Sequence, residues 1–429
     1  MNVLLMSNSD LWGGAARAAY RLHQGLKQAE INSQMLVQFK YSSDPTVVST
    51  HSNAGIGHAL TSIRLPIDNL PLKFYPNKKT SFSLQWLPNL IARQVYRYQP
   101  DIINLHWTHF GYLSIETLAK LRRPLIWTLH DMWALTGGCH YTQGCDRFQQ
   151  GCGQCPQLDS KQDWDLSRWV WQRKAKAWKN LDLTIVTPSR WLAECAKESP
   201  LLRDFQIECI PNGIDTALYR PIEKLLARKL LQLPPDKILI LSGAFGGSID
   251  QRKGTQLLQP ALRSLSQSEW GDQIEIVFFG ADLPMSNAEM GFKSHGLGAL
   301  NDDLMLALAY SAADLFVAPS LQDNLPNTVL EAMACGTPCV GFNVGGMSDL
   351  IDHQQNGYLA VPFQPDDFAR GIKFILMQKD NSQKLGQNAR EKVEREFHQE
   401  LQAARYSALF DTRLATAPKL NVFQPFFAR

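Results

Sequence analysis

Short runs of Val, Ile and Leu recur along the chain, separated by longer stretches of helical periodicity. In the first half they fall at Val3–Met6, Met35–Phe39, Ile102–Leu105, Leu125–Leu129 and Thr184–Thr187. A second series occupies Ile238–Ser242, Ile274–Phe279, Asp314–Ala318, Pro338–Phe342 and Tyr358–Val361. Hydrophobicity in these runs is largely continuous rather than alternating, which suits strands covered on both faces of a parallel sheet. Strand-helix alternation means βαβ units, and two such series predict two doubly wound α/β domains. The joint is expected near Cys209–Pro221, where Pro211, Asn212 and Gly213 are turn residues, dividing the chain into 1–208 and 209–402. Residues 64–88, rich in proline, cations and aromatics, read as a long loop or as short elements bounded by loops.

Open α/β sheets bind ligands beyond the carboxyl ends of their strands. The residues that follow the predicted strands include Trp12-Gly13-Gly14, His106, His130-Asp131, Gly243–Gly247, Gly280, Pro319-Ser320 and Gly345-Gly346. Glycine lets backbone approach a ligand closely, and a helix starting just beyond presents N–H groups to an anion. Both halves therefore aim such edges at one shared cleft.

Composition narrows the class. The 429 residues are 45% hydrophobic and 19% charged, which excludes collagen-like and wholly disordered chains. Lys+Arg at 43 against Asp+Glu at 40 gives a net charge of +3, so no nucleic acid partner is expected. The amino terminus, MNVLLMSNSD, lacks a basic leader region, and no run approaches the roughly 18 apolar residues of a membrane span. The expected location is the cytoplasm, with room for contact at the inner face of the membrane.

Eight cysteines in that compartment should be mostly reduced. Cys139, Cys145, Cys152 and Cys155 cluster in a glycine-rich stretch and are candidate ligands of a structural zinc. Free or redox-active thiols are the alternative, and disulfides a more remote one. Cys195, Cys209, Cys335 and Cys339 read as core.

The segment Ser320–Gly346 carries the most specific chemistry. Asp323 and Glu331 lie eight apart, with Glu331 on a helix expected from about Thr328 to Cys335. The N–H groups near Thr328 and Val329 are candidates for a phosphate, Glu331 for two ribose hydroxyls and Asp323 for a hexose hydroxyl. Arg252 and Lys253, before another helix, can clamp a diphosphate with a planar fork and a point charge. Asp163-Trp164-Asp165 imitates a D-x-D metal motif but precedes a helix, so capping is the better reading. The helix around 168–179 carries Trp169, Trp171 and Trp178 among cations. It reads as an ordinary amphipathic helix with snorkelling cations, or else a membrane-surface helix, and Lys73–Trp86 is a second membrane candidate.

The Ser320–Gly346 segment resembles the E-x7-E region of retaining glycosyltransferases of the GT-B fold, family 4 (glycosyl transferases group 1), with Asp323 in place of the commoner Glu. LWGGAARAAYRL, IPNGID, RKG and ADLFVAPS resemble the same family in the same order. The resemblance implies two Rossmann-like domains facing a cleft, with a return helix of about 403–429 crossing back to the first. It also implies a UDP- or GDP-linked sugar donor held mainly by the second domain through Arg252, Lys253, Asp323, Asn324, Leu325, Thr328, Val329 and Glu331. A glycan or lipid-linked acceptor would enter near Gly13, Gly14 and His130, with His106 lining the cleft and Asp131 holding the His130 ring. His130, Asp323 and Glu331 are the implied catalytic set, and no cofactor is expected for catalysis. The alternatives are a nucleotide-sugar epimerase on this fold and a non-catalytic nucleotide-sugar-binding protein.

Overall fold

The strand Asn2–Ser9 (β1) is buried along nearly its full length, since its apolar residues are covered from both sides. It lies in a parallel sheet with β2 (Asn32–Phe39), β3 (Val47–Ser49), β4 (Ile102–Leu105), β5 (Leu125–Thr128), β6 (Leu183–Thr187) and β7 (Gln206–Cys209), in the order β3-β2-β1-β4-β5-β6-β7. A second parallel sheet comprises β8 (Ile238–Gly243), β9 (Ile274–Phe279), β10 (Ser294–Gly296), β11 (Leu315–Ala318), β12 (Cys339–Phe342) and β13 (Gly357–Ala360), ordered β10-β9-β8-β11-β12-β13. The computed structural model describes residues 1–50, 63–243, 250–280, 287–377 and 381–416. The glycine loop expected at 244–247 and the tail from 417 onward lie outside the described residues.

Strand order reverses at β1/β4 in the first sheet and at β8/β11 in the second, which places a ligand crevice at each switch point. The expected strand positions hold to within a residue or two at most ends. Three strands were not legible. β3, β7 and β10 are short and lie at sheet edges, and β7 has no fully buried residue, so none carries the continuous apolar run that marks an inner strand.

Six helices matter for the site: α1 (Gly14–Gln28), α2 (Leu166–Trp178), α3 (Thr255–Ser266), α4 (Asp303–Ala312), α5 (Asn327–Ala334) and α6 (Gln399–Thr416). Helix α6 returns to the first sheet, where Tyr406 and Phe410 join Leu22 and Leu26 of α1 and Val3 and Leu5 of β1 in one apolar core. Asp165 caps α2 by accepting from Ser167 N and Arg168 N, so the D-x-D imitation is a cap. The cations of α2 do not all snorkel. Lys174 is fully buried, donating to the carbonyls of Trp133 and Thr136 and lying 3.4 Å above the Trp133 ring. Trp178 is buried too, and Trp169 and Trp171, partly buried, pack against the core, which turns the aromatic face of α2 toward it. Cys209, expected in the core, is exposed at the end of edge strand β7. No helix among the described residues is long and apolar enough to cross a membrane.

Candidate active site

The acidic loop before α5 is built by close backbone packing. A Cβ on Gly345 would sit 1.9 Å from the Asp323 carbonyl, and one on Gly346 1.8 Å from that of Asn324, so both positions need glycine. Gly346 N also donates to Asp323 O at 3.0 Å. Asp323 is thereby held beneath the cations of the loop before α3. Its Oδ2 accepts from Lys253 Nζ at 2.8 Å and from Arg252 Nη1 at 3.2 Å. Burial alone would push the Asp323 carboxyl up, but Lys253 and Arg252 outweigh it and hold the group below the usual carboxylate range.

Arg252 is fixed on every side. Nη1 donates to Gln322 O at 2.8 Å, Nη2 to Asp250 at 2.8 Å, and the guanidinium lies 4.2 Å from the Tyr141 ring centroid. Tyr141 belongs to the cysteine loop of the first domain, whose Gln143 N also donates to Gln322 Oε1 at 2.9 Å. The cation pair, Asp323 and a first-domain aromatic thus form one cluster.

The rest of the motif also faces the first domain. Asn324 is buried, accepting from Ser189 Oγ at 2.7 Å and donating to Leu129 O at 3.1 Å, immediately before His130. Asn327 Nδ2 donates to Gly14 O at 2.9 Å. Gly13, at φ 90°, supplies the turn into α1, and open space lies beyond the position of its absent Cβ. One sequence expectation is corrected here. Val329 N–H donates to Pro326 O at 3.1 Å and is not available to a phosphate. The Leu325 side chain is buried in the second-domain core. Thr328 remains part-exposed at the start of α5.

Glu331 is buried with both oxygens engaged: Oε1 accepts from Arg21 Nη2 at 2.7 Å and Oε2 from Tyr310 OH at 2.9 Å. Arg21 and Arg17 project from α1 of the first domain. Arg21 also donates to Tyr219 OH at 3.0 Å, while Arg17 reaches Asp303 at 2.7 Å, as does Tyr219 OH at 2.8 Å. These arginines and tyrosines were absent from the sequence reading. The legible signal was Arg21 itself, a cation in the buried register of α1 between Ala18 and Leu22.

The two histidines meet, and not as the resemblance implied. His106 Nδ1 lies 3.0 Å from His130 Nε2, and His106 Nε2 lies 3.0 Å from Asn104 Oδ1. Asn104 Nδ2 donates to Ile126 O at 3.1 Å and to Thr128 Oγ1 at 3.1 Å, and Thr128 bonds Tyr406 OH of α6 at 2.8 Å. A carbonyl only accepts, so Asn104 must present its oxygen to His106. His106 then carries its proton on Nε2, His130 donates from Nε2, and His130 Nδ1 is left as an acceptor. Burial pushes His130 down to about 4 and His106 well below its ordinary value, so both rings are neutral near pH 7.

Asp131 does not hold His130. It accepts from His140 Nδ1 at 2.6 Å, from Trp107 Nε1 at 2.8 Å and from Trp133 N at 2.9 Å. His109, Asp131 and His140 bring ligand-type atoms within 4.8 Å of one another, but hydrogen bonds already engage them. Ser83 takes the second His140 nitrogen at 2.8 Å, and Gln85 takes His109 Nδ1 at 2.6 Å. Cys139, Cys145, Cys152 and Cys155 are all unpaired and line one cavity with Phe82, Phe148 and Arg147. No three of those thiols lie within 4.8 Å of one another.

Two facing doubly wound parallel sheets, with a cation-clamped acidic motif between them, define the GT-B class of glycosyltransferases. The family models agree: residues 12–218 match Glycosyltransferase Family 4, and residues 227–392 match Glycosyl transferases group 1. The chain belongs to this family. It is 26% identical over 365 residues to WcaC of Escherichia coli, named for glycosyl transfer in colanic acid biosynthesis, covering 82% of this chain and 85% of that one. It is 25% identical over 361 residues to the sulfoquinovosyl transferase SQD2 of Arabidopsis thaliana, covering 81% of this chain and 63% of that one. Among solved structures, sucrose-phosphate synthase from Thermosynechococcus elongatus superposes with a TM-score of 0.70 at 20% identity, over 97% of this chain and 100% of that one. HepE of Anabaena, solved with UDP and glucose, gives 0.64 at 15% identity, over 96% and 100%.

Proposed function

We propose that this glycosyltransferase moves a sugar from a UDP- or GDP-linked donor to a hydroxyl of a glycan or lipid-linked acceptor, with retained anomeric configuration, in surface polysaccharide or glycolipid synthesis. The observation that carries this reading is the Arg252–Lys253–Asp323 cluster at the mouth of the second sheet. A fixed guanidinium and a partly exposed ammonium are suited to neutralising charge on a departing nucleoside diphosphate without a metal ion. Asp323, held ionised by those cations, supports a hydrogen-bonding role toward the sugar and not that of a free nucleophile. Same-face substitution within an ion pair fits that arrangement. WcaC and SQD2 support the polysaccharide and glycolipid setting, and the UDP in HepE supports the donor class.

Within this reading, His130 offers the acceptor nitrogen Nδ1 to a sugar hydroxyl. Glu331 serves the ribose if nucleotide draws it partly away from Arg21. Incubating the protein with a panel of UDP- and GDP-sugars, with and without glycan or lipid acceptors, tests the proposal. Nucleoside diphosphate release that depends on an acceptor supports it. Isomerised sugar formed without any acceptor would replace it with the epimerase reading.

For the cysteine loop we infer a thiophilic cation such as zinc as the ligand class, supported by four unpaired thiols around one cavity. Binding would have to draw those thiols together. Metal analysis of purified protein tests this: about one zinc per chain, lost in Cys152→Ser, supports it. Metal-free protein after incubation with zinc rules it out.

A further inference from the structure

Residues 63–68 form a short helix that runs on into a 3-10 turn at Leu70–Phe74, and this element is built inside out. Its polar side chains are the anchors. Asp68 is buried, accepting from Gln85 N at 3.1 Å and Trp86 N at 3.0 Å. Arg64 donates to the carbonyls of Gly111, at 2.8 Å, Pro88, at 2.9 Å, and Leu87. Leu72 packs into the first-domain core, but four apolar residues point the other way: Ile63, Ile67, Leu70 and Phe74 are 56%, 42%, 51% and 85% exposed. Ile63 and Ile67, four apart, share one face of the helix, and Leu70 and Phe74 extend the exposed apolar stretch through the 3-10 turn that follows. Scattered exposed apolar residues are ordinary, but four within twelve residues, on an element whose Arg64 and Asp68 face inward, mark an apolar partner.

The surrounding charge says which partner. From Asn69 to Pro100 the chain carries Lys73, Lys78, Lys79, Arg93 and Arg97 and no acidic residue. Lys73, Lys78 and Lys79 are exposed, flanking Phe74. An apolar row rimmed by lysines matches an anionic lipid surface, with side chains entering the acyl boundary and ammonium groups meeting headgroups.

We propose that the face formed by Ile63, Ile67, Leu70 and Phe74 docks on an anionic membrane. This deepens the reading above by giving a lipid-linked acceptor a place to be met, and it rests on that reading only for its purpose. Arg64 and Asp68 tie the element to the loops at 85–88 and 111. Gln85 in turn holds His109, so the docking face is joined by hydrogen bonds to the acceptor side of the cleft.

Flotation with vesicles of phosphatidylcholine alone, and with about a third phosphatidylglycerol, tests the proposal. Full-length protein is expected to float with the anionic vesicles, less so at about 0.5 M salt, and to stay behind with phosphatidylcholine. Leu70→Asp with Phe74→Asp should weaken binding by about tenfold or more, and Lys78→Glu with Lys79→Glu should weaken it and reduce its salt dependence. No flotation of the wild type, or equal flotation of the Asp variant, would overturn the proposal. So would a dimer that the Asp variant dissolves, since a second copy would then be the occupant. Nucleoside diphosphate binding, measured on the same preparations by calorimetry, separates the two readings. Binding without flotation overturns docking alone, and flotation without binding overturns the enzyme reading alone.

Discussion

Arg21 of the first domain and Glu331 of the second meet at 2.7 Å, both buried, across the cleft that divides the molecule. This pair joins α1 to α5, and Tyr219, Tyr310 and Asp303 complete its surroundings. A buried pair adds little over an apolar one of the same shape, but breaking it leaves a charge uncompensated. Its position makes it a contact that any opening of the cleft must disrupt.

Arg21→Met should therefore destabilise the protein by about 3 kcal/mol or more, because Glu331 keeps only Tyr310. Chemical denaturation of the variant measures this. The double variant Arg21→Met with Glu331→Gln should recover part of the loss, and a cost below about 1 kcal/mol for the single change would contradict the pairing.

Arg252 and Lys253 have different tasks. Arg252 donates in three directions and lies over Tyr141, whereas Lys253 makes one ion pair and stays part-exposed. Arg252→Lys should lower kcat/KM by about a hundredfold, since an ammonium cannot reproduce the fork. Steady-state rates of nucleoside diphosphate release check it.

The proton positions inferred for the histidine pair are directly observable. Nitrogen chemical shifts of the labelled protein should show His130 protonated on Nε2 and bare on Nδ1. His106→Phe removes the acceptor that holds this tautomer and should raise the donor KM by about tenfold. His106→Asn, which returns an amide oxygen near the same place, should restore much of it. A His130 protonated on Nδ1 would refute the assignment.

Acid should weaken the fold before it weakens most carboxylate pairs. Burial pushes His23, His109 and His130 down to about 4 from an ordinary value of 6.5. Between those values the unfolded chain binds protons that the folded chain refuses, so stability is full above pH 6.5 and falls as pH drops toward 4. Each histidine contributes up to about 1.4 kcal/mol per pH unit in that window. Melting temperatures from pH 7 to pH 4.5 should fall steadily, and a flat profile would count against neutral buried rings.

The inner strands and the acidic motif were legible because continuous apolar runs and clustered site residues are local signals. The partners were not. Nothing near His130 in sequence announces that His106, Asn104, Thr128 and Tyr406 line up behind it, since the chain of hydrogen bonds runs through β4, β5 and the return helix. Glu331 could be read as a ribose ligand, but its pairing with Arg21 depends on how two domains meet. The exposed row at 63–74 was hidden by its prolines, which suggested a loop, and by polar residues facing inward. The buried Lys174 defeated the usual expectation that lysines snorkel.

Calorimetric titration of UDP and GDP into wild type and into the double variant Arg252→Met with Lys253→Met tests the donor site most directly. One of the two nucleotides should bind the wild type, with affinity lost by about a hundredfold or more in a variant that still melts cooperatively. Equal affinity in both proteins would contradict the placement of the diphosphate, and with it the catalytic reading of the cleft.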